Sequence, residues 1–243
     1  MQDIIYEDGI ITIGRRRKRY SITTTSIKKD ISKFPFDSTM PRDRWGRSYK
    51  VPKVEEARYP ALINILHYFI IEHDRIPSPT EFIDMVIAEY FDVIDKDSVI
   101  VKDAYVDRFI VPTRLPLDPL KCRILRTYVS ICREFYFFLQ CAELDGFHNV
   151  RYSTICDYFK GIDLIITHHS HRYGICLKMK TSQSASYSLK KLQHRHKDIY
   201  SGNLADTIIE LYMPVFTFPK YGDFFLPDSS YMYSLYLDII LGG

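Results

Sequence analysis

The segment GIDLIITHHSHRYGICLKMKT, residues 161–181, constrains the fold more than any other part of the chain. It begins with an apolar, β-rich run, continues through a polar, histidine-rich turn, and ends in a second β-rich run. This pattern predicts an antiparallel hairpin whose first strand is buried. Because side chains alternate along a strand, Lys178 and Lys180 share one face of the second strand, and the pairing brings Asp163 alongside them.

The elements around this hairpin alternate between helix and strand. Asp118 and Pro119 are typical of a helix start, and apolar residues after them recur at helical spacing to about residue 144. We predict a strand and a turn over 147–159, a helix over 184–200, a strand over 207–218, and a short strand with a terminal helix over 221–241. The second half of the chain therefore has the order expected of an α/β core over residues 113–243.

Two further regions precede this core in the sequence. Residues 1–56 are predicted to form a hairpin over 3–13, the basic run GRRRKRY, and an irregular arm over 21–56. Residues 57–112 are predicted as a helical accessory region, with one helix over 57–72 and another ending near residue 91. Ser78, Pro79 and Glu81 form the capping box of that second helix. Two β-rich runs occupy residues 98–111.

The net charge of +3 is distributed unevenly over the 243 residues. Residues 14–58 hold 14 Lys or Arg against 5 Asp or Glu, which gives this segment a charge of +9. A second basic segment, residues 168–197, holds seven Lys or Arg, five His and no acid. Basic segments on an otherwise acidic chain favour a polyanionic partner, although solvated faces paired with acidic patches would have the same composition.

Several classes of protein do not fit the sequence. No apolar run reaches the roughly 18 residues that a membrane span requires, and the first ten residues do not form a secretory signal. The five cysteines contain no CxxC pair, which predicts buried thiols in a reducing compartment and a cytoplasmic protein. The chain has only ten Gly and none of the GxSxG, GxxxxGK[ST], GxGxxG or HExxH motifs.

The Asp of "GID" and the Lys of "KMK", on paired strands that follow a long helix, resemble the motif of the PD-(D/E)xK nuclease superfamily. The resemblance covers residues 119–218 and implies a restriction-endonuclease-like mixed sheet flanked by helices, here preceded by a mostly helical region. It places Asp163 at the family's Asp position, Lys180 at its Lys position and Glu134 at the position of its helix acid. It also implies Mg²⁺ as cofactor and nucleic acid as substrate.

The chain departs from the family pattern at one position. Lys178 stands where the acid of the acid-x-Lys pair belongs, and shifting the frame by two residues places Cys176 there instead. Mg²⁺ prefers hard oxygen ligands, which neither residue supplies. Two alternatives follow: Asp157 or Glu134 supplies the missing carboxylate, or the site has lost catalysis and the fold binds a nucleic acid or protein without cleaving.

These observations lead to one set of candidate residues. The predicted metal ligands are Asp163, Glu134 and Asp157, and the predicted catalytic residues are Asp163, Lys180 and Glu134. The predicted contacts with nucleic acid are Arg15, Arg16, Arg17, Lys18, Arg19, Lys178, Lys190, Lys191 and Arg195. The histidines at 168, 169 and 171 lack the paired ligands of a structural zinc site.

The predicted function is binding of DNA or RNA, with Mg²⁺-dependent endonuclease activity of a mobile-element, phage or defence type as one outcome. The sequence leaves open whether the site cleaves. The alternatives are a catalytically inactive nucleic-acid-binding module and an interaction protein, such as a subunit or inhibitor of a larger complex. The Tyr-rich composition, with 19 Tyr including Tyr231, Tyr233 and Tyr236, is compatible with a protein partner.

Overall fold

The computed structural model describes residues 3–34, 50–55, 62–108, 114–147, 149–180 and 204–241, with helices and strands on an α/β plan. The chain divides into two compact units, one formed by Met1–Lys29 with Arg133–Gly243 and the other by Asp30–Cys132. The helices are α1 (Thr24–Lys33), α2 (Pro52–Glu55), α3 (Ile63–His73), α4 (Pro79–Tyr90), α5 (Leu117–Ala142) and α6 (Ser229–Leu241).

Twelve strands are present in the described residues. They are β1 (Ile4–Glu7), β2 (Ile10–Ile13), β3 (Arg16–Arg19), β4 (Phe91–Asp95), β5 (Ser98–Val101), β6 (Arg114–Pro116), β7 (Asn149–Ser153), β8 (Leu164–His168), β9 (His171–Lys180), β10 (Thr207–Pro214), β11 (Lys220–Tyr221) and β12 (Phe224–Phe225). The first unit contains a seven-stranded sheet in the order β10-β9-β8-β7-β1-β2-β3. All of its neighbours are antiparallel except β9 and β10, which are parallel, so the sheet is mixed.

The N-terminal hairpin is confirmed, but it is part of the main sheet. Asp8 and Gly9 both have positive φ, 50° and 72°, as a two-residue hairpin turn requires. Arg16–Arg19, predicted as part of a basic arm, instead form a third strand with all four side chains exposed. The sequence prediction missed this strand because four consecutive cations lack the apolar alternation of a half-buried strand.

The part of α5 from Arg133 onward supplies one wall of the core in the first unit. The ring of Tyr6 on β1 makes edge contacts with Phe135 and Phe138 of α5, at centroid distances of 5.1 Å and 5.7 Å. Tyr152 on β7 lies 5.8 Å from Phe138 by the same measure. Tyr6, Phe135, Phe138 and Tyr152 are each at most 1% exposed, so aromatic packing fixes α5 against β1 and β7.

The histidine-rich hairpin has the predicted form. Leu164 lies opposite Ile175 and His168 lies opposite His171, while His169 and Ser170 form the turn with positive φ angles of 46° and 67°. The helix predicted over 184–200, which carries Lys190, Lys191 and Arg195, lies outside the described residues. All five cysteines are free and buried, as their scattered spacing predicted.

The second unit contains α2, α3, α4 and the small sheet of β4, β5 and β6. The predicted capping box is present at the start of α4, where Glu81 N donates to Ser78 Oγ at 3.2 Å and Ser78 N donates to Glu81 Oε2 at 2.7 Å. Arg75 reaches the same Glu81 carboxylate at 2.7 Å and, as the largest cause, lowers its pKa to about 2. The helix predicted over 57–72 is described from Ile63 onward.

Other sequence predictions differ from the structure. The arm over 21–56 was predicted to be irregular, yet α1 lies within it and buries Ile27 and Ile31. Most other positions of this helix are polar, so the four-residue spacing of Ile27 and Ile31 was not recognised as a helical pattern. The β-rich run that begins at Ser98 ends as a strand at Val101, and Asp103–Arg108 form a 3-10 helix. Within the first unit, β1 pairs with β7, and the predicted division at residues 56 and 112 stays a prediction.

None of the helices in the described residues is long and apolar enough to cross a bilayer. The longest is α5, whose 26 residues include six charged ones.

The buried imidazole of His67 on α3 should make the second unit sensitive to acid. Its side chain is 0% exposed, and burial lowers the pKa of His67 from 6.5 to about 3. The unfolded chain therefore binds a proton below about pH 6.5 that the folded chain excludes. The free energy of unfolding should fall by up to about 1.4 kcal/mol per pH unit as the pH drops through this window.

The measurement is the free energy of unfolding at pH 7.5 and pH 5 for the wild type, His67→Leu and His73→Gln. His73 is exposed on the same helix and serves as the control. His67→Leu should lose most of the acid-dependent fall, and His73→Gln should retain it. An unchanged pH dependence in His67→Leu would contradict this assignment.

Candidate functional site

Three carboxylates from separate elements meet at one end of the main sheet. Glu134 lies on α5, Asp157 lies in a single π-helical turn (Cys156–Lys160), and Asp163 immediately precedes β8. One carboxylate oxygen from each residue lies within 4.8 Å of the others. Asp163 is 9% exposed, and the other two are partly buried. These are the three residues that the sequence singled out as metal ligands.

Asp163 is positioned by the unequal lengths of two neighbouring strands. β8 begins at Leu164, whereas β9 continues past that level to Lys180. The Asp163 N–H donates to Ile175 O at 2.8 Å, and the Leu177 N–H donates to Asp163 Oδ2 at 2.6 Å. The Asp163 carboxylate thus accepts an N–H that would otherwise lack a strand partner, which fixes its orientation.

Asp157 is brought to the same place by the turn before β8. Gly161, at φ 64°, ends the π-helical turn, and its N–H donates to Asp157 O at 2.9 Å. The positive φ suits glycine and lets the chain reverse within six residues, between Asp157 and Asp163. A π-helical turn of this kind is uncommon and occurs frequently at functional sites.

Asp3 anchors the turn from the far end of the chain. Its carboxylate accepts hydrogen bonds from Ser153 Oγ at 2.9 Å and from the Ile155 N–H at 3.1 Å. Ser153 Oγ in turn accepts from the Cys156 N–H at 3.2 Å. Sequence reasoning did not identify Asp3 because 150 residues separate it from Ser153 and no local spacing signals the contact.

The carboxylates destabilise one another's charge. Burial, followed by the charges of Asp157 and Glu134, raises the pKa of Asp163 well above its usual value. The Leu177 N–H and the Lys178 ammonium act in the opposite direction but do not offset these effects. Burial and the same three carboxylates also raise the pKa of Tyr152. A cation among the three oxygens would relieve this repulsion.

Two residues could occupy the acid position of the acid-x-Lys pair, Lys178 or, with a shift of two residues, Cys176. Cys176 is 3% exposed and packs in an apolar cluster with Cys156, Ile162 and Ile165, so a thiolate ligand at this position is disfavoured. Lys178 Nζ lies 3.6 Å from Glu210 Oε1, an ion pair that the sequence did not suggest. Neither frame supplies the acid, and Asp157 is the additional carboxylate beside Asp163 and Glu134.

The predicted basic contacts other than Lys178, and the predicted catalytic Lys180, lie in two parts of the chain. Arg15, Arg16, Arg17, Lys18 and Arg19 are all exposed at the edge formed by β3 and the turn before it. The Lys180 backbone pairs with Pro214 of β10, but its side chain is outside the described atoms, as are Lys190, Lys191 and Arg195 in full. Within the described part of the chain, the histidine-rich turn belongs to no cluster of potential metal ligands, because the one such cluster is the carboxylate group.

The order of the elements around the carboxylates can be compared with the order predicted from the sequence. The elements α5, β7, β8, β9 and β10 follow one another as predicted, and β10 is parallel to β9. A scan against protein-family models and searches of curated proteins and of solved structures found no match to this chain. These comparisons identify no family for this chain, and the resemblance to the nuclease superfamily stays a prediction.

Neutralising Asp163 should stabilise the metal-free protein at high pH. Its raised pKa means that ionisation above the usual carboxyl range disfavours the folded state, so stability should fall as pH rises through that window. Asn at this position keeps an oxygen acceptor for the Leu177 N–H and removes the charge. We expect Asp163→Asn to raise the free energy of unfolding at pH 8 by about 1 kcal/mol.

The measurement is denaturant unfolding at pH 5 and pH 8 in the presence of a chelator. Asp145→Asn is the matched control, since Asp145 is an exposed carboxylate of the same unit. Asp145→Asn should change the free energy of unfolding at pH 8 by less than half as much as Asp163→Asn does. A loss of stability at pH 8 in Asp163→Asn, without one in the control, would contradict the assigned electrostatics.

Proposed function

We propose that this chain binds nucleic acid and hydrolyses its phosphodiester bonds with a divalent cation, using a PD-(D/E)xK-like core. The observation that carries the proposal is the convergence of Glu134, Asp157 and Asp163, whose oxygens lie within 4.8 Å of one another. A buried group of three like charges is costly in a metal-free core and is compensated when a cation binds. The exposed basic strand β3 supports a polyanionic substrate.

The carboxylate set fits Mg²⁺ or Mn²⁺. The three residues supply hard oxygen donors, and no described lysine or arginine forms an ion pair with Asp163. A bound divalent ion would polarise the phosphate and acidify a water molecule. In this arrangement Asp163 is the central ligand, held by the Leu177 N–H, and Glu134 and Asp157 complete the protein's contribution.

Asp157 is the carboxylate that we propose in place of the missing family acid. In the usual pattern the second carboxylate comes from the strand that here carries Lys178. In this chain, Asp157 approaches the same Asp163 from the preceding turn, so the number of acidic ligands is kept while the element that supplies one changes. The cation that usually accompanies the acid on the strand would then be Lys180, two residues after Lys178 at the end of β9.

The direct test combines metal titration with cleavage. Mn²⁺ is titrated calorimetrically into the wild type, Glu134→Gln, Asp157→Asn, Asp163→Asn and the control Asp145→Asn, and each protein is incubated with labelled duplex DNA and with RNA. We expect the first three variants to lose at least tenfold in metal affinity and at least 100-fold in cleavage, because each removes one ligand. Asp145→Asn should match the wild type.

Cleavage that persists in all three carboxylate variants would contradict the proposed site. Metal binding that depends on the carboxylates, without cleavage of any DNA or RNA, would favour the inactive nucleic-acid-binding module. The use of both polynucleotides also decides between DNA and RNA.

Lys180 should act on the chemical step and not on metal binding. We expect Lys180→Gln to lower the cleavage rate about 100-fold while metal affinity changes less than twofold, because an ammonium stabilises phosphate charge and is not a ligand. Lys178→Gln should have the smaller effect on rate, since Lys178 already pairs with Glu210 at 3.6 Å. A larger loss in Lys178→Gln than in Lys180→Gln would reverse the assignment of the two lysines.

One observation favours the protein-interaction alternative. On α6, Tyr233, Leu237 and Ile240 are 52%, 54% and 39% exposed, and their spacing of four and three residues aligns them on one side of the helix. An apolar stripe of this kind can mark a protein interface. If the carboxylate variants behave as the wild type in every assay, this surface becomes the main candidate for function.

A further inference from the structure

One face of the seven-stranded sheet carries a series of arginines that the carboxylate site does not use. Tyr6 and Tyr152 point toward α5, so their neighbours Glu7 and Arg151 point to the opposite face by strand alternation. We call this opposite face the arginine face. It is defined by Arg17, Arg19, Arg151 and Arg172.

The register of β1, β2 and β3 divides the basic strand into two sets. Arg17 lies opposite Thr12 and Arg19 lies opposite Ile10, both of which are partly exposed. Thr12 and Ile10 pair in turn with Ile5 and Glu7 of β1, which alternate with the buried Ile4 and Tyr6. Arg17 and Arg19 therefore belong to the arginine face.

The other two basic residues of β3 belong to the α5 side. Arg16 lies opposite Ile13, and Lys18 lies opposite Ile11. Ile11 and Ile13 are buried, at 0% and 4% exposure. Arg16 and Lys18 are as exposed as Arg17 and Arg19, so the strand offers two matched pairs of cations on opposite faces.

The arginine face continues through β7, β8 and β9. Arg151 lies opposite Ile165, and Thr167 lies opposite both Asn149 and Arg172. The register of β1 and β7, continued by one residue from the Tyr6–Tyr152 pair, places Glu7 beside Arg151. Three strand spacings, roughly 14 Å, separate Arg19 from Arg151.

A cavity of about 290 Å³ lies on this face, and its lining includes Glu7, Asn149, Arg151, Thr167 and Arg172 together with the apolar side chains of Ile165 and Leu204. The Nε atom of Arg151 is buried and has no hydrogen-bond partner among the residues that the structure describes. Glu7 accepts from Asn149 Nδ2 at 3.1 Å, and Asp206 accepts from the Arg172 N–H at 2.8 Å and pairs with the Arg172 guanidinium at 3.4 Å. The Arg151 guanidinium thus forms no ion pair among the described residues.

We propose that the arginine face binds the sugar–phosphate backbone of a polynucleotide, with the cavity at Arg151 as a phosphate subsite. The inference rests on the proposed nucleic-acid function and names the surface that serves it. The guanidinium of Arg151 supplies a phosphate with the planar donor group that the protein itself leaves unused. Arg17 and Arg19 contact the backbone further along, toward the sheet edge. These contacts position the polynucleotide without reading its sequence.

The test measures binding of a labelled 20-base-pair duplex by fluorescence anisotropy at several salt concentrations, with EDTA present. The variants are Arg17→Gln with Arg19→Gln, Arg151→Gln, and the matched control Arg16→Gln with Lys18→Gln. Each phosphate contact contributes about 0.9 to the slope of log affinity against log salt. We expect the slope to fall by about 1.8 in the Arg17 and Arg19 double variant and by about 0.9 in Arg151→Gln.

The control pair should change the slope by less than about 0.3, although it removes the same charge from the same strand. Arg151→Lys distinguishes charge from structure, since it keeps the cation and should keep most of the slope. Thermal unfolding of each variant identifies any loss of folding, and if Arg151→Gln fails to fold, the Arg17 and Arg19 double variant carries the comparison with the control.

Equal slope losses in the control and in the Arg17 and Arg19 variant would overturn the assignment to one face. Wild-type binding with unchanged slopes in all variants would overturn the arginine face while leaving the proposed nuclease function intact. Binding to anionic lipid vesicles or to an acidic peptide, with no binding to the duplex, would overturn the inference together with the nucleic-acid function. A loss of cleavage without a loss of binding would concern the carboxylate site alone.

Discussion

The hydrogen bond from the Leu177 N–H to Asp163 Oδ2, at 2.6 Å, is the interaction on which the geometry of the site depends. It joins Asp163, immediately before β8, to the part of β9 that extends beyond the start of β8. Without it, an ionised Asp163 would be buried with no partner for its charge, which is strongly unfavourable. With it, the carboxylate is held in one orientation beside Glu134 and Asp157, and the remaining repulsion makes the site receptive to a cation.

Other contacts in the first unit position the remaining two carboxylates, Glu134 and Asp157. Aromatic contacts of Phe138 with Tyr6 and Tyr152 fix α5, and therefore Glu134, against β1 and β7. Asp3 accepts hydrogen bonds from the turn that carries Asp157. Each carboxylate is thus positioned by a different part of the core. A displacement of any one of these parts would move its carboxylate away from the other two, so that one ion could no longer contact all three.

The sequence was sufficient to predict the elements closest to the site. The apolar run before the histidine-rich turn and the β-rich run after it identified the hairpin, and the family resemblance identified Asp163 and Glu134. Asp157 and Glu134 were the two candidates for the missing acid, and both lie beside Asp163. The prediction of the hairpin succeeded because strand alternation is a local signal, whereas the roles of the three carboxylates stay predictions.

The remaining features arise from contacts between residues far apart in sequence. The pairing of β1 with β7, the bonds of Asp3 to Ser153 and Ile155, and the ion pair of Lys178 with Glu210 leave no trace in local spacing. The arginine face was also not predictable from local spacing, because only the register of four strands places Arg19 and Arg151 on the same side of the sheet. Tertiary pairing, not local propensity, decides these positions.

The most direct test of the central claim is to crystallise the protein with Mn²⁺ and locate the ion by its anomalous scattering. The account predicts one peak among Glu134, Asp157 and Asp163, about 2.1 Å from a carboxylate oxygen of each. The peak should vanish in crystals of Asp163→Asn. An anomalous peak at the histidine-rich turn, or none at the carboxylates at saturating Mn²⁺, would contradict it.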